Sequence, residues 1–166
     1  MMKWISTCFL LLFVGTGLLA QKQVPDVKLK TLKKQTVSLH SALQEADYTV
    51  LSFWATWCAP CKRELNTIAE VYDDWQKQYN MQLIAVTIDD QRMLSKVPAM
   101  VATNWWEYPV LADEDASLRN AINVTSIPRT FIVDREGTIL YDHSGYKPGD
   151  EIELEEKLSA LAKARR

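Results

Sequence analysis

The sequence predicts an α/β domain, a central mixed β-sheet flanked by helices. Three observations carry that expectation. Tyr48–Trp54 and residues 83–88 are nearly unbroken runs of apolar, β-branched and aromatic side chains, as in strands buried on both faces. Between them Leu65, Ile68, Ala69, Tyr72, Trp75 and Tyr79 recur at helical spacing, so the segment reads as a right-handed βαβ crossover. Residues 129–133 and 138–141 then read as two strands ahead of a terminal helix.

The remaining elements follow in chain order. Residues 27–29 and 36–39 read as short strands around the polar turn Lys33-Lys34-Gln35, an N-terminal β-hairpin added to the sheet. Residues 91–104 are helical in part, and Pro98 either bends that helix or begins a second one. Residues 115–121 form another short helix. In the late hairpin Asp134-Arg135-Glu136-Gly137, Gly137 supplies the positive φ that the turn requires. For the last helix, Asp150 reads as the cap with Glu153 completing a capping box. Ile152, Leu158, Leu161 and Ala162 are its expected buried stripe.

Composition narrows the function classes. A chain of 166 residues with 48% hydrophobic and 24% charged residues is an ordinary globular domain, not a disordered or polytopic one. A net charge of −2 argues against nucleic-acid partners, which require many phosphates to be neutralised. Residues 1–20 differ from the rest. Lys3 is their only charge, an apolar run fills residues 5–20, and the small residue Ala20 precedes the polar Gln21-Lys22-Gln23. This reads as a secretory signal ahead of a domain at 21–166. Leu18 is larger than cleavage sites prefer, so a retained anchor over residues 4–20 is the alternative. Of three cysteines, Cys8 falls in that leader, and Cys58 and Cys61 fall in the domain. One cysteine pair in an exported chain belongs to a compartment where disulfides persist.

The pair sits in Trp57-Cys58-Ala59-Pro60-Cys61, where a buried strand gives way to a helix. Free N–H groups in a first helical turn stabilise negative charge. A Cys58 thiolate there has a lowered pKa and serves as the nucleophile of disulfide exchange. Cys61, one turn on, is within reach to resolve the mixed disulfide. Two other readings compete. Half of a zinc site needs more ligands than His40 and His143 supply at metal spacing, and a structural disulfide closing so short a loop constrains little entropy.

The stretch VLSFWATWCAPCKREL at residues 50–65 resembles the active-site segment of the thioredoxin superfamily, and more narrowly that of exported TlpA/ResA-type thiol:disulfide oxidoreductases. The similarity runs over residues 25–161. It includes Pro25-Asp26 with the Thr36-Val37-Ser38-Leu39 strand, and a second loop, Val124-Thr125-Ser126-Ile127-Pro128-Arg129-Thr130-Phe131. The resemblance implies a thioredoxin-like fold and a cis Ile127–Pro128 bond facing the cysteines. Trp57, Ala59, Pro60, Ile127 and Pro128 then form the docking surface for a substrate chain. It also implies that Glu64 exchanges a proton with Cys61. The plainer reading of Glu64 is a first-turn Glu favoured by the helix dipole.

Two departures stand out. Ser52 occupies the place of a buried Asp in thioredoxin itself, leaving the proton route to Glu64 or water. Asn66 stands where the family usually has Pro, which predicts a straighter helix. Trp105 and Trp106 read as core, and His40 and His143 as surface or strand-end residues.

The resulting expectation is a periplasmic or envelope protein-disulfide reductase cycling Cys58 and Cys61, with no cofactor beyond that disulfide and no metal. Its substrates are protein disulfides, as in apocytochrome c maturation or envelope thiol homeostasis. A membrane-embedded thiol donor supplies electrons, and the protein is a monomer. Two alternatives stand beside it. A peroxiredoxin-like thiol peroxidase resembles its relatives through a Thr three places before the reactive Cys, where this chain has Ala55. A copper-binding module of the Sco type has three residues between its cysteines, where this chain has two.

Overall fold

The computed structural model describes residues 22–165; the leader expected at 1–20, with Cys8, lies outside them. Seven strands form one mixed sheet: β1 (Lys28–Thr31), β2 (Thr36–Ser38), β3 (Tyr48–Trp54), β4 (Met81–Thr87), β5 (Val110–Ala112), β6 (Arg129–Asp134) and β7 (Ile139–Ser144), in the order β2-β1-β5-β4-β3-β6-β7. β4 runs parallel to both β3 and β5, whereas β6 is antiparallel to β3 and β7 to β6. The expected βαβ crossover is present: helix α2 (Ala59–Tyr79) joins β3 to β4.

Every residue of β3 and of β4 is buried, which explains why neither run shows an apolar-polar alternation. Side chains alternate across the sheet and divide the core in two. Val50, Trp54, Leu83 and Ile132 pack with α2, with α4 (Val97–Thr103) and with α6 (Asp150–Ala164). Leu51, Phe53, Ile84 and Phe131 pack with α1 (Leu39–Leu43) and α5 (Ser117–Ala121). α3 (Gln91–Leu94) is a single turn before α4, so Pro98 sits in the first turn of a second helix, where its missing N–H has no helical partner to lose.

Helix α2 spans 21 residues without interruption. Its buried face is Leu65, Ile68, Tyr72, Trp75 and Tyr79. It stops where Asn80 turns left-handed at φ 49° and returns its N–H to Gln76.

The structure corrects four expectations. Leu39 begins α1 rather than ending a strand, because Ser38 caps that turn by accepting from the Ser41 N–H. Asp150 is the first residue of α6 rather than its cap. The cap is Gly149 at φ 103°, and the Asp150 carboxylate accepts from the Lys147 N–H. Ile152 is 60% exposed; two residues from Leu154, it lies on the opposite side of a helix whose buried residues are Leu154 and Leu158. Trp106 is core, but Trp105 is 83% exposed. Its φ of 55° turns the chain out of α4 and parts the two rings.

Candidate active site

The site forms at the carboxyl end of β3. Cys58 caps α2: its backbone is extended, and its sulfur lies 3.3 Å from the Cys61 amide, which donates to it. Pro60 occupies the first turn, where its fixed φ suits the helix. Cys58 and Cys61 are joined as a disulfide with a Cα–Cα distance of 5.3 Å. Both are buried, Cys61 completely. Trp57, the residue before Cys58, is 63% exposed. Ala59 is exposed and Pro60 half-buried.

The Ile127–Pro128 bond is cis. Pro128 is buried, and its carbonyl accepts from the Gly145 N–H at 2.8 Å. Ile127 is half-buried and packs against the core cluster that contains both cysteines. The fold therefore packs the second loop against the core cluster to which the disulfide belongs.

Glu64 lies three residues after Cys61, the spacing that stacks side chains on one helix face, with Cβ atoms about 5–6 Å apart. It is buried and faces the sheet. Ser52 donates its hydroxyl to Oε2 at 3.0 Å, and Thr130 donates to Oε1 at 2.7 Å. Ser52 and Thr130 are direct partners across β3 and β6, so one rung of the sheet supplies both donors. Burial pushes the Glu64 carboxyl up to about 7, although the Thr130 and Ser52 hydroxyls oppose the rise. An ordinary solvated first-turn Glu has none of these features.

A second carboxylate holds the loop before Cys58. Asp89, buried just after β4, accepts the Thr56 N–H at 2.8 Å, the Thr56 hydroxyl at 2.9 Å and the Thr87 hydroxyl at 2.7 Å. Lys62 donates its ammonium to the Thr56 carbonyl at 3.1 Å. The Thr56 hydroxyl is thus engaged in the scaffold.

Sequence reasoning reached Cys58, Cys61, Glu64 and the Pro128 loop but missed Thr130, Asp89 and a helper at Asn66. Ser52 and Thr130 carried a readable signal, since each is a hydroxyl inside an apolar strand. Asn66 carried none: Trp106 reaches it from 40 residues away, its Nε1 donating to Oδ1 at 2.7 Å. His40 and His143 are half-buried, and His143 is the penultimate residue of β7. His40 contacts the Val24 carbonyl through Nε2, and His143 pairs with Asp150 at 3.2 Å.

Comparisons with known proteins agree with this geometry. Residues 20–142 match the AhpC/TSA family. The thioredoxin-like protein YneN of Bacillus subtilis is 30% identical, over 91% of this chain and 95% of its own. The thiol-disulfide oxidoreductase ResA of Geobacillus kaustophilus is 28% identical, over 83% of this chain and 76% of its own. The solution structure of a thioredoxin-like protein from Porphyromonas gingivalis matches at a TM-score of 0.71 and 41% identity, covering 84% of this chain and 92% of that one. With a helix-capping cysteine pair at the end of a buried strand and these relatives, the chain belongs to the AhpC/TSA family and is a thioredoxin-like thiol-disulfide oxidoreductase.

Proposed function

We propose that this chain is an exported protein-disulfide reductase in which Cys58 is the nucleophile, Cys61 the resolving thiol and Glu64 the proton acceptor. The observation that carries the reading is the Cys58 sulfur seated on the first-turn amide of a 21-residue helix. That amide and the helix dipole favour the thiolate over the thiol.

The Cys58 thiolate attacks one sulfur of the substrate disulfide, and the first substrate half leaves as a thiolate. Cys61 then gives its proton to Glu64, and its sulfur bonds to Cys58. The second half leaves, also as a thiolate. Two electrons have passed to the substrate. A general base works best with a pKa near the operating pH, and the Glu64 value of about 7 meets that condition. Trp57, Ala59, Pro60, Ile127 and Pro128 supply the apolar docking surface, and the backbone beside Pro128 receives the substrate chain as an added strand. Export rests on the composition of residues 1–20. With export, electrons come from a membrane-embedded thiol donor, and the substrates are envelope disulfides such as that of apocytochrome c.

The deciding experiment measures the reduction potential of Cys58/Cys61 in residues 21–166 and traps substrates with Cys61→Ser. A potential below about −220 mV and a stable mixed disulfide on Cys58 are expected. A potential above about −150 mV would reverse the direction to disulfide donation. A pair that does not cycle at all would remove the redox role.

A further inference from the structure

One cluster lies behind the cysteines and is unused by the chemistry above. Ser52, Thr130 and His143 stand side by side on β3, β6 and β7, each the register partner of the next. The first two donate to Glu64. The third lines a small, partly open cavity with it, together with Thr130, Tyr141, Asp150 and Leu154. The cavity measures about 10 Å³, and Glu64 and His143 both line it; that volume is roughly what one water needs.

Its titratable groups are Glu64 from α2, Tyr141 and His143 from β7, and Asp150 and Glu151 from α6. Two of them are engaged elsewhere. The Tyr141 hydroxyl donates to Glu153 at 3.1 Å, and Glu151 accepts from the Tyr146 hydroxyl and the Gly149 N–H, both at 3.0 Å. His143 remains. Its Nε2 faces Asp150 Oδ2 at 3.2 Å, and its side chain is 26% exposed. A carboxylate only accepts, so Nε2 carries the hydrogen, and Nδ1 is the nitrogen able to take up another proton. Asp150 then stabilises the imidazolium.

We propose that His143, held by Asp150, is the proton port of the dithiol site: it exchanges protons between Glu64 and solvent through the cavity. His143 touches neither substrate nor sulfur and is a positioning residue acting through Glu64. The inference rests on the proton-acceptor role given to Glu64 above. In the balance of that step, one proton leaves Cys61 and stays on Glu64. It passes to the cavity water as that water protonates Nδ1, and the imidazolium releases it outside. Glu64 accepts again only once it has shed that proton.

The test follows one turnover of the reduced protein with excess insulin, by acid quench and alkylation, in a dilute buffer without imidazole. In the wild type, the Cys58–Cys61 disulfide is expected to close in a single phase at every pH. In His143→Gln, closure below pH 7 is expected to split in two. A fast fraction comes from molecules whose Glu64 begins ionised, and a slow fraction, about tenfold or more behind, waits for proton release. Added imidazole should accelerate the slow phase, and at pH 8 it should vanish. Asp150→Asn should show a smaller split, and Glu64→Gln should be slow throughout with no response to imidazole. Single-phase closure in His143→Gln below pH 7, or a slow phase deaf to imidazole, would overturn the port while leaving the reductase standing. A wild type that never reduces insulin would overturn both.

Discussion

Two buried carboxylates flank the cysteine loop, and their donors differ. Asp89 accepts one backbone N–H and two hydroxyls, and its own N–H returns to the Thr87 hydroxyl at 3.1 Å. Glu64 accepts two hydroxyls, from Ser52 and Thr130. An amide only donates, so the Asp89 oxygen that meets Thr56 is held as an acceptor. A hydroxyl both donates and accepts by rotating about its C–O bond, so the Glu64 cage serves a carboxylate and a carboxylic acid alike. Equal burial therefore produces a clamp on one side of the loop and a proton exchanger on the other.

The largest effect should come from breaking the clamp. Asp89→Ala strips partners from the Thr56 amide and from two buried hydroxyls at once. Stranding buried donors costs about 1–3 kcal/mol each, with some recovered by water, so a net loss of about 2–4 kcal/mol is expected in urea denaturation. The loop before Cys58 loosens with it, and the measured potential of the pair should shift. An unchanged stability would mean that Thr56 finds other partners and that Asp89 is no clamp.

Glu64 should instead reveal itself through pH. Its carboxyl is pushed up to about 7 by burial, from an ordinary 4.5. Between those values the folded state binds more protons than the unfolded, so stability falls as pH rises. The contribution is fully present below about 4.5, declines through about 7 and is flat above it. The shift corresponds to about 3 kcal/mol across that window. Glu64→Gln should abolish this slope, so that the variant overtakes the wild type at pH 8. Denaturation at pH 5 and pH 8 reads the difference directly. A wild type equally stable at both would show that Glu64 is ionised in the fold, and the contrast with Asp89 would collapse.

Legibility follows the same division between local and distant causes. β3, β4 and α2 could be read because their patterns are internal to each segment: an unbroken apolar run, or a helical period. The cysteine pair was legible because four adjacent residues carry its chemistry. The cage of Glu64 was half legible. Glu64 follows Cys61 at a fixed spacing, but the donors Ser52 and Thr130 are brought together by a strand register that no local pattern specifies. Asp150 illustrates the opposite failure. A capping-box spacing was present at Asp150 and Glu153, yet Gly149 took the cap and freed the Asp150 carboxylate for His143. Trp105 and Trp106 look equivalent in sequence, and one backbone angle separates them.

Asn66 offers the smallest and most specific test of how the cage is supported. Its amide oxygen accepts the Trp106 indole N–H at 2.7 Å. Trp106 meets Trp54 edge-on at 5.0 Å and stacks with Tyr108 at 5.9 Å. The Tyr108 hydroxyl donates to the Leu65 carbonyl at 3.0 Å, so the aromatic stack grips α2 one residue after Glu64. A proline at 66 would offer no side-chain acceptor and would remove a helical N–H. Asn66→Ala should cost about 1 kcal/mol, the usual net value of one neutral hydrogen bond, and should alter the indole fluorescence. Asn66→Asp keeps an acceptor in place and should restore most of the loss. If Asn66→Ala is silent while Asp89→Ala is not, the active-site loop is secured from the Asp89 side alone, and α2 holds Glu64 by its packing.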